Sequence, residues 1–370
     1  MSAPTLRSLV ERSWRDNLLF SVLVELTYRC NLDCFFCYND LGLKGQPLTT
    51  EQYLGFFADL RDLQVLNLTL SGGEPLAHPD FFRLGAAARE LGFVVRVKSN
   101  GHALNGTLAR RLREEVDPYQ VEVSLHGATA ATHDRQTRVA GSFERLVANL
   151  AEMKALGLRI KVNSTLTAWN ENEIGEMFAL TDRLGLPLQF DPEVTSRDDG
   201  DREPLSITPS RDGVLRLFRL EFERGEAAAA AAGAPVSEPA VGLRQADAEL
   251  PPPATGKHCG AGSSGIAVDP YGNVYPCVQW RRPAGNLHQR SIREIWADSR
   301  GLADVRELEL EIKHRIDALG PEGALLNFCP GTAEATTGDP LAIYSGAKQR
   351  AELLQQVMDE RRRSPLRVLR

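Results

Sequence analysis

Cysteine is scarce in this chain, six residues of 370, and long apolar runs are absent altogether. No stretch approaches the roughly 20 apolar residues that a membrane-crossing helix needs. The opening segment, "MSAPTLRSLVERSWRDNLLF", mixes Arg and Glu among its apolar residues and has no secretory core. A cytoplasmic location and no membrane partner are expected. An excess of basic charge is missing too: 43 Lys and Arg face 49 Asp and Glu, a net charge of -6. That balance disfavours nonspecific nucleic-acid binding. Six cysteines are too few for a disulfide scaffold, and in a reducing compartment clustered thiols are metal or redox groups more often than bridges.

What is present is a globular composition, 42% hydrophobic and 25% charged, in a chain long enough for one large domain plus an appendage. Short β-rich runs alternate with helical ones. Strands are predicted at Ser21–Thr27, Val65–Gly73, Phe93–Gly101, Val121–Gly127, Arg159–Thr167 and Leu186–Pro192. Helices are predicted at Thr50–Leu63, Pro79–Leu91, Leu104–Glu115, Ser142–Leu156 and Glu171–Leu184. Such alternation implies right-handed βαβ crossovers and a parallel α/β sheet, flat or curved into a barrel. Cys30, Gly72, Ser99, Ser124 and Asp191 each fall at or just past a strand's C-terminal end, where parallel α/β folds place their chemistry.

A further helix is expected with Thr208 as N-cap and Arg224 near its end. Residues 225–256, with six consecutive alanines and a three-proline run, read as a connector. The expected division is an N-terminal segment (1–20), an α/β unit (21–224), the connector (225–256), a cysteine-bearing domain (257–345) and a C-terminal helix (346–370).

Half of the cysteines lie within eight positions, in "CNLDCFFC" (Cys30, Cys34, Cys37). Three thiolates can hold zinc, but a structural zinc site needs a fourth ligand, and no histidine lies between Asn31 and Leu76. A four-iron cluster can be held by three thiolates with one iron left open. The spacing Cys30-x3-Cys34-x2-Cys37, with Phe36 before the third cysteine, resembles the signature of the radical S-adenosylmethionine (SAM) enzymes. "SGGEP" (Ser71–Pro75) resembles the same family's GGE motif.

That resemblance implies a partial (β/α)6 TIM-like barrel, a SAM-binding 4Fe-4S cluster on Cys30, Cys34 and Cys37, and SAM as cofactor. It also implies cofactor contacts from Gly72, Gly73 and Glu74, the last toward the SAM ammonium. Phe36 would lie near adenine, and Ser99, Asn100, Ser124 and Asn163 near the carboxylate or ribose. The same polar residues also suit strand ends and turns, and His126 suits either a proton carrier or a turn.

Cys259, Cys277 and Cys329 follow the connector. "VDPYGNVYPC" reads as a hairpin turning through Pro270–Asn273. With "AGNLHQRSIREIW" and "FCPGTAEATTGDP", the region resembles the SPASM and twitch extensions of radical SAM enzymes. It has three cysteines where the full SPASM pattern has seven, so the resemblance implies one auxiliary iron–sulfur cluster, of the 4Fe-4S type. Its fourth ligand is left open among His258, an aspartate, solvent and substrate.

Extensions of this kind often accompany modification of ribosomally made peptides. The resemblance therefore implies a peptide maturase. The alternatives are a radical SAM dehydrogenase or rearrangement enzyme of a small metabolite, and a non-catalytic iron–sulfur or zinc module. An electron donor such as flavodoxin or ferredoxin is implied. The 29 residues ahead of Cys30 show no leader-binding domain, so a separate leader-peptide-binding protein or direct peptide binding is expected. In the acidic loop Gln189–Asp201, Asp191, Glu193 and Arg197 are the catalytic candidates, and Asp198, Asp199 and Asp201 read as solvated.

Overall fold

The computed structural model describes residues 5–40, 42–231 and 256–363; most of the expected connector, 232–255, lies outside the described residues. Helix α1 (Leu6–Asp16) leads into strand β1 (Ser21–Glu25). Five further βα-type repeats follow. They run α2 (Thr50–Asp62), β2 (Asn67–Ser71), α3 (Phe81–Glu90), β3 (Val94–Ser99), α4 (Gly106–Arg111) and β4 (Gln120–Ser124). Next come α5 (Ala130–Thr137), α6 (Ser142–Ala155), β5 (Ile160–Thr165), α7 (Ile174–Leu184) and β6 (Leu188–Asp191). All five pairings from β1 to β6 are parallel, and β6 ends one edge of the sheet, so the barrel is partial and open.

Strand alternation sorts the side chains by face. Val22, Val24, Leu68, Leu70, Val95, Val97, Val121, Val123, Ile160 and Val162 are buried, in one core with Tyr53, Phe57, Leu84, Leu150 and Phe178 of the helices. The opposite face carries Glu25, Ser71, Arg96, Lys98, Glu122, Lys161 and Asn163 by the strand register. A closed TIM barrel fills its interior with branched apolar residues; this one presents a polar cup.

Helix α8 (Arg211–Ala231) begins later than the expected cap. Thr208 ends a preceding 3-10 turn instead, and Ser210 Oγ accepts from Gly213 N at 3.0 Å. The α4 helix continues as a π turn over Leu112–Val116.

Beyond the connector, β7 (Gly265–Val268), β8 (Asn273–Tyr275) and β9 (Gly285–Asn286) do not form a separate layer. β7 pairs parallel with β1, and β8 and β9 add antiparallel, giving one nine-stranded sheet. Asp269 Oδ1 accepts from the backbone of both Tyr271 and Asn273, and Gly272 has φ +78, which closes the expected hairpin turn. Four helices follow, α9 (Ile292–Asp298), α10 (Arg300–Ala318), α11 (Pro321–Ala324) and α12 (Pro330–Thr337); α9 joins the main core through Ile292 and Ile295, while α10 and α12 contribute to a second apolar cluster around Trp280, Val305, Ile312 and Phe328. Helix α13 (Ser345–Arg363) then packs back on α8. Among the described residues no helix is long and apolar enough to cross a membrane.

Candidate functional site

The first three cysteines sit on the loop between β1 and α2, at the C-terminal rim of the sheet. Two backbone bonds moor this loop to α5: Asp33 N to Thr137 O at 3.1 Å and Phe35 N to Gln136 O at 2.9 Å. Helix α5 escaped the sequence reading because "AATHDRQT" has little apolar periodicity; it buries His133, Gln136 and Thr137 instead. Its polar side chains in turn fix α5 to the ends of β4 and β5: Gln136 Nε2 donates to His126 O at 2.5 Å, and Thr167 Oγ1 donates to Gln136 Oε1 at 3.2 Å.

All six cysteines are free thiols. Leu32 N at 3.4 Å and Asn100 Nδ2 at 3.6 Å both donate to Cys30 Sγ, and Ala261 N donates to Cys259 Sγ at 3.4 Å. N–H donors of this kind suit a cluster thiolate. Burial raises the Cys30, Cys34 and Cys37 thiols above the ordinary range, so a bound cation is needed to hold them as thiolates. Three free thiols on one loop, with N–H donors at Cys30 Sγ, fit three corners of an iron–sulfur cluster.

Glu74, Ser99 and Asn100 are joined where β2 and β3 end. Ser99 Oγ donates to both Glu74 oxygens at 2.9 and 3.0 Å, and Asn100 N donates to Oε2 at 2.8 Å. Asn100 Nδ2 donates to Asn31 Oδ1 at 2.8 Å, which ties this unit to the cysteine loop. Burial pushes the Glu74 carboxyl up to about 7 against the pull of these hydrogen bonds. A cation placed beside it would hold it ionised.

The two glycines before Glu74 serve the backbone of the cysteine loop. Gly73 N donates to Thr27 O at 2.7 Å and Glu74 N to Arg29 O at 2.9 Å. A Cβ at Gly72 would stand 2.3 Å from Thr27 O at a φ of +139, and one at Gly73 would stand 2.6 Å from Arg29 O. Gly72→Ala is expected to cost about 1–3 kcal/mol from crowding alone, with further backbone strain. Denaturant unfolding of the variant checks this.

Phe36 meets His126 edge-on at 4.5 Å. Ser124 ends β4 beside Asn163, whose Nδ2 donates to Glu122 Oε2 at 3.0 Å. Asn163 thus faces the cup.

The three catalytic candidates separate. Asp191 ends β6 at the rim, opposite Thr165. Glu193 is tied to the C-terminal part by Arg350 Nη1 at 3.2 Å and by the Tyr344 hydroxyl at 3.2 Å. Arg197 pairs with Asp201 and Glu203, and its Nη2 donates to Phe35 O at 3.3 Å, so it clamps the β6 loop to the cysteine loop. Asp198 is not the solvated residue expected. Its backbone donates to Tyr38 O at 2.8 Å and its carboxylate pairs with Arg281 Nε at 3.0 Å. Arg281 also grips the fully buried Glu25 through bonds of 2.9 and 3.0 Å. One arginine, four residues past Cys277, thus spans β1, the β6 loop and the C-terminal part.

Burial pushes the Asp198 carboxyl up to about 7, although Arg281 opposes the shift. The unfolded chain releases that proton near the ordinary carboxylate value of about 4. Between those limits the folded chain binds more protons, so this contribution is full below about pH 4 and lost as pH rises through 7. Asp198→Asn is expected to flatten the decline in melting temperature of the metal-free chain between pH 5 and 8.

In the second set, Cys259 lies in the loop before β7, Cys277 after β8, and Cys329 caps α12. His258 Nε2 is bonded to Phe328 O at 2.9 Å, and its ring packs on Phe328. Glu309, inside α10, touches one of these thiols: its carboxylate accepts from Cys259 N at 2.6 Å and from Cys259 Sγ at 3.0 Å. No cysteine-spacing motif points to this residue, and its one sequence signal is a helix position that turns inward.

The radical SAM superfamily model matches residues 24–181, and the SPASM iron–sulfur cluster-binding domain matches residues 259–317. The PqqA peptide cyclase of Ruegeria pomeroyi is 30% identical over 75% of this chain and 73% of its own length. The chain belongs to the radical SAM superfamily. Another relative, the AdoMet-dependent heme synthase of Methanosarcina barkeri, is 26% identical over 88% of the chain and 96% of its own length. The fold is shared with the solved structure of anSMEcpe with bound AdoMet and Cp18Cys peptide. The TM-score is 0.69 at 15% identity, over 92% of this chain and 97% of that one. Membership brings iron–sulfur clusters and SAM to this radical SAM enzyme, and it accounts for thiols at the rim and on either side of the hairpin.

Proposed function

We propose that this radical SAM enzyme is a peptide maturase that oxidatively crosslinks or otherwise modifies a ribosomally made peptide. Cys30, Cys34 and Cys37 hold a 4Fe-4S cluster whose open iron takes SAM, and Cys259, Cys277 and Cys329 hold one auxiliary 4Fe-4S cluster in a domain over 257–345. When bound and reduced, the first cluster would supply the electron for reductive cleavage of SAM, the chemistry that removes hydrogen from a substrate C–H bond. Glu74 orients the SAM ammonium, with Gly72 and Gly73 setting its place. Ser99, Asn100, Ser124 and Asn163 line the carboxylate and ribose side, and Phe36 shields adenine. Asp191 is the rim group placed to take a proton; Glu193 and Arg197 hold the loop that carries it.

The hydrogen-bonded unit of Glu74, Ser99, Asn100 and Asn31 beside Cys30 carries this reading, since it couples the cysteine loop to two strand ends. The similarity to a peptide cyclase favours a peptide. A small-metabolite substrate is the second reading, supported by the similarity to a heme synthase. A ferredoxin or flavodoxin supplies the electron, and a separate leader-binding protein delivers the peptide.

The test is anaerobic incubation of the reconstituted enzyme with SAM, reductant and short peptides encoded near its gene. Deoxyadenosine together with a peptide that has lost two hydrogens supports the reading. Deoxyadenosine with unchanged peptides, but with turnover of a tetrapyrrole, moves it to the second.

A further inference from the structure

Helix α10 carries one carboxylate on its apolar stripe. Its buried positions are Leu302, Val305, Glu309, Ile312 and Ile316, the spacing of a face packed on a core. The flanking acids Glu307 and Glu311 are exposed, whereas Glu309 has no surface in water. The helix also grips the loop that holds Cys259: Arg306 Nε donates to Gly262 O at 2.7 Å, one turn before Glu309.

A buried carboxylate needs an opposite charge or a metal beside it. The side-chain hydrogen bonds of Glu309 both come from Cys259, through its backbone N and its Sγ. Lys257 is the basic side chain whose field reaches it, yet Lys257 Nζ donates to Trp14 O and Asn17 Oδ1, each at 2.6 Å. The bond from Sγ lasts while Cys259 keeps its proton. A metal takes the cysteine as a thiolate, and that proton leaves to solvent as the iron–sulfur bond forms. Glu309 Oε1 would then stand 3.0 Å from a second anion, an arrangement that the positive charge of iron stabilises. Ser263 Oγ and Thr332 Oγ1, each within four residues of a cysteine, are buried without a partner among the described residues. Hydroxyls of this kind suit the sulfurs of a cluster.

We infer that Glu309 is the fourth protein ligand of the auxiliary cluster, completing the set of Cys259, Cys277 and Cys329. The inference rests on the reading above that those three thiols hold a 4Fe-4S cluster. His258, the neighbour of Cys259 in the chain, is engaged by Phe328, with Nε2 on its carbonyl and the ring packed on its side chain. With a carboxylate oxygen on its fourth iron, the cluster is closed to direct ligation by substrate.

The test uses the full chain with Cys34→Ala, which keeps the auxiliary cluster alone, reconstituted with iron and sulfide without oxygen. Protein made with glutamate labelled with carbon-13 at the side-chain carboxyl is reduced and read by pulsed electron–nuclear double resonance. A carbon-13 coupling to the cluster spin is expected, and adding Glu309→Gln abolishes it. Release of iron to a chelator is expected to run about tenfold or more faster in that double variant. The metal-free chains separate a ligand from a structural residue. Glutamine keeps an acceptor for Cys259 N, so the metal-free melting temperature is expected to hold or rise on Glu309→Gln, while that of the loaded chain falls.

Roughly four irons per chain with no carbon-13 coupling overturns the inference and leaves the auxiliary cluster standing. An exchangeable deuteron coupled to the cluster in place of the carbon marks a hydrogen bond to Cys259, and overturns it too. So does an equal loss of melting temperature in the metal-free and loaded chains. A Cys34→Ala chain that takes up no iron sinks the cluster reading, and the inference with it.

Discussion

Cys34→Ala, reconstituted without oxygen and given SAM and a strong reductant, is expected to form no deoxyadenosine above background. Its iron content should fall from roughly eight per chain to roughly four, because one of two four-iron clusters is lost. Cys34 is the middle thiol of the loop, its amide carbonyl accepts from Cys37 N at 3.1 Å, and it is the most strongly raised of the three. Two thiols without it cannot hold three corners of a cluster. Cys277→Ala gives the contrasting outcome, with about half of the iron lost and cleavage of SAM retained. Iron analysis and chromatography of the nucleoside products check both variants.

Arg281→Met is expected to be the most destabilising single change outside the cysteines. It leaves Glu25, fully buried on β1, facing Asp198 with no cation between them. Stranding a buried charge in this way costs about 3–5 kcal/mol. The Tyr28 hydroxyl, which donates to Glu25 Oε2 at 3.1 Å, softens but does not replace the loss. The double variant Glu25→Gln with Arg281→Met should recover a large part of the stability, since no bare carboxylate then remains on β1. Denaturant unfolding of the metal-free chains measures both. Because Arg281 links β1 to the β6 loop, its loss is also expected to loosen the C-terminal part from the cup.

The α/β alternation was legible because its strands are apolar runs bounded by turn residues, and each reappears within a few residues of its expected place. Cys30, Gly72, Ser99, Ser124 and Asp191 were legible as rim residues for the same reason: a strand end fixes where the next residue points. Other features depend on contacts far apart in sequence. Pairing of Ile266–Val268 with Val22–Val24 joins segments more than 240 residues apart, and a hairpin's own sequence does not name its third strand. The Arg281 clamp was hidden likewise, and Asp198 looked solvated because its neighbours Asp199 and Asp201 are acidic too. Helix α5 and Glu309 were missed for the opposite reason, since both bury polar groups where periodicity arguments expect apolar ones. Gly72 and Gly73 also admit the Thr27–Arg29 backbone, a contact that their own sequence does not name.

Electron paramagnetic resonance of the reduced holoprotein, recorded with and without SAM, tests the central claim most directly. If SAM docks on an open iron held by the Cys30 loop, adding it shifts one of two cluster signals, and that shift is absent in Cys34→Ala but kept in Cys277→Ala. A spectrum indifferent to SAM, or a shift that persists in Cys34→Ala, would contradict the account.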